Sequence, residues 1–481
     1  MRILFVTSEV APFAKTGGLG DVSAALPRAL RALGHDVRIV APFYGRVRAS
    51  KHVFERVIPP SEIALGAHRY TFAVNQTTLP GSDVPVLFVE CPPLYDRASI
   101  YTEDADEHRR FALLGWAALK ICQYQQWAPD IVHANDWPTA LVPLTMQTMF
   151  AWDRLFARTR SVLTIHNIGH QGGFPAHVLS DIGLAEAAQH FHQDQLRDGR
   201  LNFLLTGILY ANAITTVSPT YAREIMTAEH GVGMDAFLRA RRSVVFGVLN
   251  GIDPSEWSPE HDTLIPHRFS RDDLAGKERN KHALMTGMKM PYVPGVPVIG
   301  IVSRLAWQKG FDLCAEVLPA MLARRDVQLV VLGSGEGRYE ELFTRLARQF
   351  PRKVGFYRGF SEPLAHLIEA GADMFLMPSR YEPCGLNQMY SLAYGTVPIA
   401  HSTGGLADTV HTWDPRRAVG NGFAFDHFDA SGLAWALGYA LETWNRRPEW
   451  RRLQQNGMRE DFSWTRRVRA YEDLYARIAP P

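Results

Sequence analysis

Cysteine is scarce in this chain. Four residues, Cys91, Cys122, Cys314 and Cys384, are spread over 481 positions with no CxxC pair. That spacing argues against a disulfide framework and a cysteine-built zinc site, and it fits a reducing, cytoplasmic setting. A surplus of charge is also lacking. Lys and Arg number 51 against 49 Asp and Glu, a net charge of +2, which gives no support for a general nucleic-acid or membrane-surface binder. No apolar run is long enough to cross a membrane. The opening residues alternate into a strand containing Glu9, in place of a charged-then-apolar leader. The phosphate loop GxxxxGK followed by Ser or Thr does not occur.

What is present is ordinary in bulk and ordered in detail. Hydrophobic residues make up 46% and charged residues 21%, as in soluble globular proteins. The length exceeds one ordinary core and predicts two or more domains. Short Val- and Ile-rich runs recur, each followed by a turn and a helical pattern. A first series reads ILFVTS, VRIVAP, VPVLFVE, DIVHAND, SVLTIHN and AITTVSP. A second reads PVIGIVSR, QLVVLGSGEG, KVGFYRGF, DMFLMPSR and VPIAHSTGG. Continuous apolar strands alternating with helices predict an α/β protein with two doubly wound parallel sheets. The seam falls near VLNGIDPSEWSPE, residues 248–260, where Gly, Asp, Pro and Ser cluster. The segment 268–290 reads as a helix entering the second series. The closing stretch carries Trp464, Val468, Tyr471, Tyr475 and Ile478 as one helical stripe, with Ser463 as its N-cap.

In open parallel sheets, ligands bind beyond the carboxyl ends of the strands. After the first run stand Glu9, Lys15, Gly17, Gly18, Gly20 and Asp21. After DIVHA come Asn135, Asp136 and Trp137, and after SVLTI come His166 and Asn167. In the second series PVIGIV is followed by Ser303, Arg304, Gln308 and Lys309, and QLVVL by Gly333 to Gly337. DMFLMP is followed by Ser379, Arg380, Glu382 and Cys384, and VPIA by Thr403, Gly404 and Gly405. Both series load this rim with cations, small residues and carboxylates. If the two rims face each other, the set suits a phosphorylated ligand.

The stretch AKTGGLGDV precedes a helical stripe of Val22, Leu26, Ala29, Leu30 and Leu33, which Gly34 can end. A helix starting near Asp21 puts Gly17 to Gly20 at its N-terminus, where free N–H groups and the dipole favour an anion. The alternative is a flexible connection with no ligand. A nicotinamide-binding fingerprint fits poorly, because the loop is long and VRIVAPF does not end in an acid. Arg304 and Lys309, between a strand and a helix, can neutralise a diphosphate without metal; as a bare pair they could equally be surface cations. Glu382 could hold a sugar or ribose hydroxyl, or be a solvated acid at a helix start. His166 could meet a hydroxyl or be structural. Asp136 beside Trp137 resembles a sugar-binding pair, or a capping Asp beside a core Trp.

Three features read as decoys. Asp104 and Asp106 form a minimal DxD metal pattern within an acidic helix start. His190 and His192 lack a third ligand. Cys384 has no assignable base. No metal site is expected.

Taken together, KTGGLGDV, HANDW, HNIGHQG, TTVSPTYAREI, LNGID, SRLAWQKG, PSRYEPCGLNQMY, STGGLADTV and DFSWTRRVRAYEDLY resemble the bacterial glycogen synthase and starch synthase family. The resemblance runs nearly end to end. It implies a GT-B fold, with two Rossmann-like domains facing across a deep cleft. Residues 1–248 would form the first, completed by a closing helix at 463–481, and 249–462 the second. It implies metal-independent transfer of glucose from ADP-glucose to the non-reducing end of an α-1,4-glucan (glycogen or a malto-oligosaccharide), with retention and release of ADP.

By the same resemblance Lys15, Gly17, Gly18 and Asp21 would approach the donor, and Arg304 and Lys309 would clamp its diphosphate. Glu382 would sit near the donor glucose, with Cys384, Gly385 and Leu386 holding sugar hydroxyls. Thr403, Gly404 and Gly405 would lie near the phosphates. His166 would border the anomeric centre, and Asp136 would order donor and acceptor. Phe360 would stack on the base, and Asn167, Asn250 and Gly333 complete the substrate-binding set. Phe360, Tyr381 and Asn387 stand where the family more often has Tyr, Phe and Thr, and none of these changes removes a charged group. One rival is a related transferase with a lipid or small-molecule acceptor. Another is a glucan-binding protein without turnover, which predicts loss of Lys15, Arg304, Lys309 or Glu382; all four are present.

Overall fold

The computed structural model describes residues 1–479; positions 480 and 481 of the expected closing segment lie outside the described residues. The described chain divides into two compact units. The first comprises Met1–Val217, Ala222–Leu249 and the described residues from Trp464 onward. The second comprises Ser218–Tyr221 and Asn250–Ser463.

The strands of the first unit are β1 (Arg2–Val6), β2 (Asp36–Pro42), β3 (Glu55–Leu65), β4 (His68–Thr78), β5 (Pro85–Glu90), β6 (Ile131–Asn135), β7 (Arg160–Ile165), β8 (Gly173–Pro175), β9 (Arg200–Asn202), β10 (Ala213–Thr216) and β11 (Val245–Gly247). The main sheet runs β11-β10-β7-β6-β1-β2-β5-β4-β3, with β8 and β9 paired apart from it. The inner strands are parallel and apolar on both faces: Ile3, Leu4, Phe5 and Val6 of β1 are all fully buried. The expectation of a purely parallel sheet is corrected at one edge, where β3–β4 and β4–β5 pair antiparallel. β3 is largely exposed, with Ile58, Ile63 and Leu65 buried between wet residues, and neither β3 nor β4 carries the continuous Val/Ile signature. Pro59 and Pro60 fall at register shifts of β3, where a missing N–H costs nothing and protects the edge.

The first helix spans Gly18–Ala32, starting three residues before the expected Asp21, and Gly34 (φ 89°) follows its end. The helix Trp464–Ile478 belongs to this unit and buries Trp464, Val468, Tyr471, Leu474 and Tyr475. Ile478 is only half-buried, and Leu474 completes the stripe. Tyr475 Oη lies 2.6 Å from His133 Nδ1, and Thr164 Oγ1 meets the other ring nitrogen.

The second unit contains β12 (Val298–Leu305), β13 (Gln328–Gly335), β14 (Val354–Arg358), β15 (Met374–Met377), β16 (Val397–His401) and β17 (Phe423–Phe425), in the order β14-β13-β12-β15-β16-β17, all parallel. Alternate residues feed two cores: Ile299, Ile301, Leu329 and Val331 on one face, Val298, Val330, Leu332 and Phe375 on the other. The helix expected over 268–290 is confined to Ala275–Gly287.

Among its parallel strands, each of the two main sheets reverses strand order once. In the first unit the reversal lies between β1 and β6, in the second between β12 and β15. At such a point neighbouring connections leave in opposite directions and open a crevice beyond the strand ends.

His133 is fully buried, and burial chiefly, with the neighbouring His166 adding to it, pulls its pKa down to about 3. Between that value and the ordinary value near 6.5 the unfolded chain binds a proton that the folded chain does not. The contribution of His133 to stability therefore rises with pH across this window. In urea melts, His133→Gln should lower stability at pH 7 and flatten the slope between about pH 4 and 6.5; an unchanged slope would remove His133 as its source.

Candidate functional site

The crevice of the second unit gathers the loops after β12, β15 and β16. Lys309 Nζ lies 2.6 Å from Glu382 Oε2, and Ser379 Oγ donates to the same oxygen at 2.9 Å. Glu382 is only 6% exposed, so this carboxylate is held by a cation and a hydroxyl in a largely dry setting. The contact needs the two loops to be locked together. Gly310 ends the Trp307–Lys309 turn at φ 70°, with its missing Cβ only 1.9 Å from Pro378 O. The guanidinium of Arg380 sits 4.4 Å from the Trp307 ring and 4.2 Å from Phe428, and pairs with Asp312. Its backbone N–H donates to Gln308 O at 2.9 Å, while Gln308 Nε2 donates to Tyr381 O at 3.3 Å. Asn387 Nδ2 then ties the helix Asn387–Ala393 to Val302 O of β12 at 2.7 Å.

The glycines after β16 have a reason inside the chain. Gly404 has φ 46°, and a Cβ there would stand 1.9 Å from Glu382 O; a Cβ on Gly405 would stand 2.1 Å from Cys384 O. Gly405 N–H donates to Glu382 O at 3.1 Å. Thr403 to Gly405 therefore pack directly beneath the Glu382–Cys384 backbone. Gly385 (φ 70°) turns that loop over Gln388, whose Nε2 donates to Cys384 O at 3.0 Å. Gly333 is likewise required by packing, with its missing Cβ 2.2 Å from Ser303 O. Arg304 is exposed and has no salt bridge among the described residues, and Phe360 is 80% exposed. Both are available to a ligand. Leu386 caps the helix that follows the Glu382 loop.

In the first unit the crevice is organised by two carboxylates. Glu9 is 2% exposed and accepts from Thr16 N–H and Thr16 Oγ1, both at 2.6 Å, from Gly17 N–H at 3.3 Å and from Tyr101 Oη at 2.7 Å. It folds the Lys15–Gly18 turn outward, leaving those four residues exposed. Lys15 Nζ rests 2.6 Å from Asp21 Oδ1. Gly17 has an extended φ of −160° and nothing within 4 Å of a Cβ position, so no chain atom explains this glycine.

Asp136 is the second carboxylate. It holds φ 56°, unusual for a residue with a Cβ. Its Oδ1 accepts from His166 N–H at 2.7 Å and Asn167 N–H at 3.4 Å. Burial outweighs these bonds and pushes its pKa up to about 7, with the nearby Glu9 charge adding to the rise. Burial pulls His166 down to about 3, so its ring is neutral at pH 7. Asn135 fixes the tautomer: its Nδ2 donates to Val6 O at 3.0 Å, leaving Oδ1 to accept from His166 Nε2 at 3.0 Å. His166 therefore carries its proton on Nε2 and its lone pair on Nδ1. Trp137 packs against Phe111, Phe174 and Phe203.

Asn250 is buried, and its Oδ1 has no hydrogen-bond partner among the described residues. Asp104 and Asp106 each pair with Arg97, at 2.8 and 2.7 Å. Sequence reasoning missed Tyr101 and gave no role to Glu9, Asn135 or Ser379, although the last three stood on the rim. Tyr101 lies 92 positions from Glu9, in a turn with no periodicity to flag it.

Comparison with known proteins gives a consistent picture. Residues 2–240 match the family of the starch synthase catalytic domain, and residues 292–457 match glycosyl transferases group 1. A glycogen synthase of Anaeromyxobacter sp. (strain Fw109-5) is 46% identical across 100% of both chains. The glycogen synthase of Myxococcus xanthus is 46% identical across 99% of both. Among solved structures, the catalytic domain of starch synthase IV from Arabidopsis thaliana, bound to ADP and acarbose, superposes with a TM-score of 0.92 at 34% identity, covering 99% of each chain. A sucrose-phosphate synthase from Thermosynechococcus elongatus, at 16% identity and TM-score 0.60 over 99% and 98% of the two chains, shares the fold.

The two kinds of glycine separate experimentally. Gly404→Ala should cost about 1–3 kcal/mol of unfolding free energy in urea melts. Gly17→Ala should stay within about 0.5 kcal/mol of the parent. Equal losses would contradict these packing assignments.

Proposed function

The chain belongs to the glycogen synthase family of GT-B glycosyltransferases, and from that premise we propose that it transfers glucose from ADP-glucose to the non-reducing end of an α-1,4-glucan, with retention at the anomeric carbon and release of ADP. The observation that carries the assignment of roles is the Lys309–Glu382 contact at the strand-order reversal of the second sheet. The ADP and acarbose held by the starch synthase IV relative support the donor and the glucan-like acceptor.

In this reading Arg304 and Lys309 neutralise the diphosphate, so the leaving group departs without a metal. Lys309 stands between the leaving phosphate and Glu382, which offsets the repulsion the carboxylate would otherwise exert on that phosphate. Glu382 then faces the positive charge that grows on the sugar ring. The backbone of Cys384 to Leu386 offers polar groups to sugar hydroxyls, and Phe360 offers a face to the base.

From the first unit, Lys15 and the open Gly17–Gly18 turn serve the donor. His166 presents a neutral ring whose Nδ1 lone pair can accept from a hydroxyl. Asp136, poised near neutrality, orders the His166–Asn167 backbone at the reacting centre. Four buried cysteines outside any disulfide suit a cytoplasmic enzyme, and no helix among the described residues is long and apolar enough to cross a membrane.

The test is nucleotide release from ADP-glucose and from UDP-glucose, with and without glycogen, in EDTA. Release should require glycogen, favour ADP-glucose and survive the chelator. Lys309→Ala and Glu382→Gln should each lower kcat by at least about 100-fold while melting as folded proteins. Near-parental rates in either variant would overturn the site assignment, and glycogen-independent release would overturn the acceptor.

A further inference from the structure

One cluster of ligating side chains in the second unit has no part in the reaction. Glu256, Glu362 and His366 each place a ligand atom within 4.8 Å of the other two. Glu362 and His366 share the helix Glu362–Gly371 and, being four residues apart, lie on one face of it. The two carboxylates are exposed, whereas His366 is 1% exposed.

The His366 ring is oriented. Its Nδ1 lies 2.8 Å from Asp262 Oδ2, an oxygen that also accepts from Tyr394 Oη at 2.6 Å. A carboxylate only accepts, so in the neutral ring Nδ1 carries the proton and Nε2 the lone pair. That Nε2 is buried and has no hydrogen-bond partner among the described residues. Trp257, next in sequence to Glu256, stacks on the imidazole at 3.8 Å and 17°, and also stacks on Tyr390 at 3.8 Å. The stack holds the plane of the ring, and the Asp262 contact on Nδ1 selects its orientation within that plane.

His366 thus joins a ring nitrogen within 4.8 Å of two carboxylate oxygens to a buried, unpartnered lone pair on Nε2, a combination that suits a bound cation. The carboxylate of Asp262 behind Nδ1 is the partner that commonly orients a metal-bound histidine and raises its basicity. We propose that Glu256, Glu362 and His366 Nε2 bind one divalent cation, with Asp262 as the residue that positions the imidazole. One nitrogen and two carboxylate oxygens suit zinc better than magnesium or calcium, which prefer all-oxygen shells. The ion would pin the segment after Asn250 to the helix Glu362–Gly371, which makes it a brace within the second unit and not a participant in transfer.

The experiment uses the full chain, stripped with chelator and titrated with ZnCl2 by calorimetry at pH 7.5, with melting temperature as a second readout. The proposal predicts one equivalent bound, a rise of several degrees in Tm at saturation, and no competition from excess MgCl2. Glu256→Gln and Glu362→Gln alter exposed side chains, so both should fold with the melting temperature of the stripped parent. Each should weaken zinc binding about 10- to 100-fold. Absence of stoichiometric binding at micromolar zinc would overturn the proposal. So would unchanged binding when Glu256→Gln and Glu362→Gln are combined, which would put the zinc on other side chains.

Discussion

Lys309 and Glu382 lie 73 positions apart in the chain and 2.6 Å apart in space. The loops of the second unit are built around that contact. A carboxylate this buried is costly unless a cation and hydrogen bonds meet it, and Lys309 and Ser379 supply both. The Arg380 guanidinium, flanked by Trp307 and Phe428, joins the loops that carry the two partners. The left-handed Gly310 lets one loop pass against Pro378, and Gly404 and Gly405 let a helix start directly under the other. Each of these features looks local, yet each fixes the position of one ammonium relative to one carboxylate.

The first unit solves a related problem with carboxylates alone. Glu9 is met by hydroxyls and backbone N–H groups and shapes an exposed turn. Asp136 is met by two backbone N–H groups in a strained conformation and is left close to its own titration point. The neutral His166 beside it is fixed in one tautomer by Asn135. The preparation is electrostatic throughout: charges and lone pairs are set in place before a substrate arrives, which lowers the reorganisation needed when charge separates.

Much of this was legible in the sequence, for identifiable reasons. Strands buried on both faces announce themselves by uninterrupted Val and Ile, and the residues after them are the crevice residues by topology. Strands β3 and β4 were not legible because a half-wet edge has a weaker pattern. At Gly17 no packing demand accounts for the glycine. The demand for Gly404 and Gly405 comes from the Glu382–Cys384 backbone about 20 residues earlier, a proximity no spacing rule reveals. Glu256 and Asp262 stand about a hundred residues before His366 and are brought to it only by the fold.

The most direct test of the central contact is a double-mutant cycle on kcat/KM with Lys309→Met, Glu382→Gln and the combined variant. If the two side chains act as a unit, the double variant should be no more than a few-fold slower than the slower single variant, because each single change already leaves its partner without a counterpart. A double variant whose loss equals the product of the two single losses would show that ammonium and carboxylate act independently, and would contradict the account.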